Sequence, residues 1–111
     1  MELVRGPTTQ IANEDFLPEF FFQNGHLEQV TLSLQSVDTA SNARLVFANL
    51  TTALRARYGQ EISARPTAIG LDSEWLSGKT NVTLILIAIG DTDPLLNIVY
   101  QVRLAGDASK L

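Results

Sequence analysis

The sequence predicts an α+β domain of two layers: a mostly antiparallel sheet of five to six strands with one helix packed on one face, in the order β-β-β-α-β-β-β. Three observations predict it. Thr39–Gly59 carries the helical period, the segments on either side alternate in the strand period, and Asn24-Gly25 between two apolar runs is a hairpin signal. With a single helix available, its apolar face must be covered by the sheet.

Residues 1–12 are weakly strand-like around Leu3, Val4 and Ile11, but Gly6-Pro7 interrupts them. Proline lacks the N–H that a central ladder needs, so this stretch is expected at a sheet edge or as an extended arm. Asn13-Glu14-Asp15 reads as a turn. In Phe16–Leu34 the Asn24-Gly25 pair suits a type I′ turn, whose two central residues both need φ > 0. A plain two-residue loop would leave Leu27 out of phase with Val30, Leu32 and Leu34. One extra residue at Glu28-Gln29, a β-bulge, restores the phase. It sets Phe20 opposite Val30, Pro18 opposite Leu32 and Phe16 opposite Leu34, and leaves Phe21 on the other face with Glu19 and Gln23.

In the helix, Ala43, Val46, Phe47, Leu50, Ala53, Leu54 and Tyr58 fall on one arc, with Arg44, Thr51, Thr52 and Arg55 opposite and Leu45 off the arc. Asp38 or Ser41 is expected to cap the start, and Gly59 the end. Arg55 and Arg57 suit the partial negative charge of the last turn. Gln60–Ala68 reads as a polar loop. Ile69–Ser77 is expected to be a strand with Trp75 inward, and Thr80–Ile89 a strand whose centre is apolar at every position from Leu84 to Ile89. Such a strand asks for cover on both faces. Gly90–Pro94 is a turn, Leu95–Leu104 alternates again, and residues 105–111 form a polar tail.

Composition bounds the chain to one domain, 1–111. Its 111 residues are 45% hydrophobic and 18% charged, which favours a folded core. The net charge of −4 argues against a phosphate-binding footprint, so no nucleic-acid partner is expected. With no cysteine there is no disulfide, thiolate metal site or cysteine nucleophile. No apolar run reaches the roughly 18 residues of a membrane span, and MELVRGPTTQ has no apolar signal-peptide core, so neither membrane insertion nor a signal peptide is expected.

No residue pattern points to an enzyme, a cofactor or a metal. His26, the only histidine, follows a turn where solvated residues collect. Asp91 and Asp93 resemble the start of a Ca²⁺ loop, but apolar Leu95, Leu96, Ile98 and Val99 stand where further oxygen ligands would be needed. Glu14-Asp15 and the pair Asp72 and Glu74 read as solvated carboxylates. The sequons at Asn49 and Asn81 fall in a helix and at a strand start, so chance explains them. Arg55, Arg57 and Arg65 can form a small basic patch, for which helix-end electrostatics and solvation suffice.

The spacing Phe20-x-Phe22-x-Asn24-Gly25-His26-Leu27, followed by Val30, Leu32 and Leu34, belongs to a wider pattern. That pattern continues with a helix ending in Leu54, Tyr58 and Gly59, then Glu74-Trp75-Leu76 with Gly78, Thr80, Val82 and Leu84, and finally Leu96-Asn97-Ile98 with Tyr100. As a whole it resembles small bacterial envelope-associated α+β domains of uncharacterised function. Residues 20–34 are also similar to strands of SmpA/OmlA-type lipoproteins and β-lactamase-inhibitor-like domains, although here the helix lies mid-chain without a preceding helical pair. The resemblance implies a non-enzymatic bacterial interaction module, with the periplasm or cell envelope favoured over the cytoplasm, and it brings no functional residues.

Function is therefore expected in binding. Phe21, Ile85, Ile87, Ile89 and Val99 are the expected interface on the sheet face away from the helix, taking a second copy as a homodimer or another protein. The alternative is a small-ligand-binding or weakly enzymatic domain with a pocket between helix and sheet.

Overall fold

The computed structural model describes residues 2–35 and 37–102. Its elements are β1 (Glu2–Arg5), β2 (Thr9–Ile11), β3 (Glu14–Gln23), β4 (His26–Leu34), α1 (Ala40–Tyr58), β5 (Ser63–Thr67), β6 (Gly70–Ser77), β7 (Thr80–Ile87) and β8 (Leu95–Val102). The fold is α+β: an antiparallel sheet and, among the described residues, one helix. The sheet has eight strands where five to six are expected, in the spatial order β1-β3-β4-β8-β7-β6-β5, with β2 also paired to β3. The expected tail 105–111 and the last two residues of the expected final strand lie outside the described residues.

Two local features account for the extra strands. The N-terminal edge strand is broken at Gly6-Pro7 into β1 and β2, both paired to β3, and Gly6 N donates to the Pro18 carbonyl across the break. Ala12 and Asn13, both with positive φ, close a two-residue turn from β2 into β3, one residue earlier than the expected turn. The segment expected as a polar loop contains β5, an outer strand where Pro66 forfeits no inner hydrogen bond.

The central hairpin has the predicted register. Phe16 pairs with Leu34, Pro18 with Leu32 and Phe20 with Val30, and the register shifts between Phe21 and Phe22 so that Glu28 is the extra residue. Asn24 and Gly25 have φ of 52° and 78°, the signs a type I′ turn requires.

The helix starts one residue after the capping residue, which is Thr39 rather than Asp38 or Ser41. Thr39 Oγ1 accepts from Asn42 N at 3.1 Å, while the Asp38 carboxylate accepts from the Asn42 side chain at 2.9 Å. Gly59, at φ 88°, ends the helix and donates its N–H to the Arg55 carbonyl. Ala43, Phe47, Leu50 and Leu54 are buried and Leu45 is exposed, which is the predicted phase.

The two halves of the sheet join where β4 pairs with β8 (Val30 with Tyr100, Leu32 with Ile98). Four successive antiparallel steps from β4 to β5 leave those two strands parallel, so α1 is a crossover spanning β8, β7 and β6, and it packs on those three. The core lies under it: Trp75, Val82, Leu84, Leu86, Leu96 and Ile98 from the sheet meet Leu50, Phe47 and Leu54. A helix about 10 Å wide covers only two or three strands spaced ~4.8 Å apart. On the same face beyond its flank, Phe20, Phe22 and Val30 are only half-buried, and Val4 and Leu27 are exposed.

Candidate functional site

The chemistry-bearing residues singled out in the sequence do not converge. His26 is exposed beside the hairpin turn. The Asp91–Asp93 loop is packed by its backbone against the helix start: the Asp91 carbonyl accepts from Ala40 N, and Thr92 bridges to Thr39. Asp15 accepts a side-chain hydrogen bond from Gln10. Among the described residues, no three His, Cys, Asp or Glu side chains gather as metal ligands. Of the three arginines, Arg55 and Arg65 line one cleft together with Glu61, and Arg57 stands apart from them. Arg55 and Arg57 stand about 200° apart around the helix, and Arg55 makes a two-pronged pair with Glu61 (2.7 and 2.6 Å) on the side facing β5. The Arg55 hydrogen bonds hold the Glu61 carboxyl below its usual range. Arg57 instead lies over the Tyr58 ring, 5.7 Å from its centroid.

The face opposite the helix is the first candidate surface. Strand alternation places Phe21, Ile85, Ile87 and Val99 there, all half-buried. Ile89 differs, because β7 ends at Ile87, paired with Leu95. Ile89 therefore sits in the connecting loop, 75% exposed, and not on the strand face. The apolar residues are also interleaved with polar ones. Across one row run Phe21, Gln29, Gln101 and Asn81; across the next, Glu19, Thr31, Val99, Thr83 and Glu74; across the third, Leu17, Ser33, Asn97, Ile85 and Asp72. β4 separates Phe21 from Val99, so the five residues do not form one continuous patch. Val99, Ile85 and Ile87 belong to a central strip over Thr31 and Ser33 of β4, β8 and β7 that carries no charge among the described residues, while Glu28 of the bulge marks its end on β4. Arg5 and Glu19, paired at 3.0 Å, flank it on one side, and Asp72, Glu74 and Arg65 on the other. Within the strip, Asn81 Oδ1 and Asn97 Oδ1 are buried and have no hydrogen-bond partner. Neighbouring side chains shield them from water and supply no donor.

The second candidate is a cleft of about 670 Å³ between the C-terminal half of α1 and the sheet. Ala53, Leu54 and Ala56 form its helix wall, and Ile11 of β2 reaches it from the edge strand. Tyr58, Tyr100 and Arg57 supply its polar groups. The cleft exists because the helix leaves the β3–β4 side of its own face uncovered. Burial, reinforced by the adjacent Tyr58 phenol, pushes the Tyr100 hydroxyl up to about 12, so it remains a protonated donor at any physiological pH. The sequence places Tyr58 on the apolar arc of the helix and Tyr100 on one side of the alternating final strand, with Leu96 and Ile98, and marks neither as a site residue. Nothing local brings residues 58 and 100 together; the β4–β8 pairing and the helix crossover do.

No protein-family model, curated protein or solved structure matches this chain. Among the described residues, no helix is long and apolar enough to cross a membrane.

Proposed function

We propose that the chain is a non-enzymatic protein-interaction module that pairs through the sheet face opposite its helix, with a second copy of itself as the partner. One observation carries this reading: among the described residues the open face has an uncharged centre over Thr31 and Ser33 of β4, β8 and β7, and its charges stand at the margins, on β1–β3, on Glu28 at the hairpin end of β4, and on β5–β6. Interfaces between proteins have this anatomy, with charge depleted at the core and retained at the rim. The unpartnered Asn81 and Asn97 carbonyls support it, since a docked surface can supply the missing donors. Closed two-fold pairing is the commonest way for a single patch to be covered. The interface centres on Val99, Ile85 and Ile87, with Phe21 towards its margin and Ile89 adjacent in the loop. The sequence resemblance adds a bacterial, envelope-associated setting.

The test is the mass in solution at tens of micromolar, by light scattering, of the wild type beside Val99→Lys and Ile87→Lys. The reading expects a dimer that both lysines convert to a folded monomer. A wild-type monomer, or a dimer indifferent to both substitutions, overturns it.

A further inference from the structure

The cleft at the helix C-terminal half supports an inference that stands apart from the open face. Its volume, about 670 Å³, is within the range of small-molecule sites, and its lining has the usual balance of an apolar wall with a few polar groups. Three features narrow the ligand. Two phenol rings, Tyr58 and Tyr100, offer faces and edges to a flat apolar body. No acidic side chain lines the cleft, whereas Arg57 does. The ion pairs among the described residues, Arg5 with Glu19 and Arg55 with Glu61, leave Arg57 without a carboxylate. Its guanidinium is set over the Tyr58 ring, which limits its freedom before any ligand arrives. A planar guanidinium matches a carboxylate with two parallel hydrogen bonds, and a phenol donor nearby adds a third. Small Ala53 and Ala56 keep the helix wall low.

We propose that this cleft binds a small aromatic carboxylate, with its ring against Tyr58 and Tyr100 and its carboxylate on Arg57. The apolar wall of Ile11, Ala53 and Leu54 then takes the remainder of the ring. The charge of the ligand is the discriminating property, because a merely greasy groove would take a neutral ring equally well.

The experiment is an amide NMR titration of the full chain with 2-naphthoate and, in parallel, with its neutral analogue 2-naphthylmethanol. The wild type is expected to bind naphthoate at one site, with shifts concentrated at Ile11, Ala53, Ala56, Tyr58 and Tyr100. The neutral analogue, and naphthoate with Arg57→Gln, are each expected to bind about tenfold more weakly, the equivalent of ~1.4 kcal/mol. Arg57 is exposed, so its replacement leaves the core intact. The neutral-analogue arm uses the wild type in any case. No binding at millimolar naphthoate, equal binding of acid and alcohol, or shifts centred on Thr31, Thr83 and Val99 would each overturn the proposal. None of these outcomes bears on self-association, which the mass measurement reads separately.

Discussion

Trp75 Nε1 donates a 3.0 Å hydrogen bond to the carbonyl of Gly59, so the residue that ends the helix is also fastened to β6. Trp75 has no solvent exposure, and a buried indole N–H needs an acceptor. Gly59 can offer one because its φ of 88° turns the chain out of the helix there. The same bond fixes the position of Tyr58, one residue earlier, and so helps to set the wall of the cleft.

Truncation of this cluster should be costly. Leu50→Ala is expected to lose about 2–5 kcal/mol and Trp75→Ala about 3–5 kcal/mol. Trp75→Phe keeps most of the ring but loses the bond to Gly59, and should lose about 1–3 kcal/mol. Urea unfolding of the three variants measures this. Midpoints equal to wild type for the two alanines would contradict the packing described.

Gly70 is fixed by proximity, not by a special φ. A Cβ at this position would stand 1.8 Å from the Leu86 carbonyl oxygen on β7, where a backbone atom cannot step aside cheaply. Gly70→Ala should therefore force β6 and β7 apart at Gly70–Ile87 and cost about 1–3 kcal/mol. Exchange of the neighbouring Ala88 amide, which donates to the Ile69 carbonyl at 2.7 Å, should accelerate. An alanine variant with unchanged melting and unchanged exchange would show that the approach is looser than described.

The sequence disclosed what is encoded over short range. The helix and its glycine stop follow from the period of Ala43, Phe47, Leu50 and Leu54, and the bulge at Glu28 follows from the phase conflict between Leu27 and Val30. It concealed what depends on distant pairing. β5 is polar and holds Pro66, so it looks like a loop until β6 is present to bind it. Alternation alone points to the five expected interface residues, and alternation says which face a side chain is on but not which strand stands beside it. The β4–β8 pairing put Gln29 and Thr31 between Phe21 and the isoleucines. The cleft was hidden for the same reason, since Tyr58 and Tyr100 lie on segments that meet only through that pairing.

Tyr100 should ionise late. Tyr58→Phe leaves it as the one tyrosine in the chain, and an alkaline absorbance titration of that variant should show ionisation well above 10, towards about 12, because burial is the main cause. The raised folded value also means that stability falls as pH rises from about 10 towards 12, where the unfolded phenol ionises and the folded one does not. Ionisation near 10 with the fold intact would mean that the cleft exposes the hydroxyl.

The Arg55–Glu61 pair gives the opposite pH dependence. The lowered Glu61 value means that its stabilisation is present above the ordinary value of 4.5 and disappears as pH falls through the folded one. Wild type should lose more stability on acidification than Glu61→Gln, and the two curves should converge at low pH. Parallel curves would show that the pair contributes nothing in solution, which is common for partly exposed pairs.

Asn97 offers a way to separate folding from association. Its Oδ1 is buried without a donor on β8, between Ser33 and Ile85 and beside Val99, so Asn97→Val should stabilise the isolated chain by about 0.5–2 kcal/mol. If the amide is kept because a second copy bonds to it, the same substitution should weaken the dimer while it raises the melting temperature. Dilution experiments by light scattering, run beside thermal melts, read the two quantities independently. A valine variant that melts higher and associates as tightly as wild type would place Asn97 outside the interface, and one that melts lower would show that the amide already has a partner within the chain.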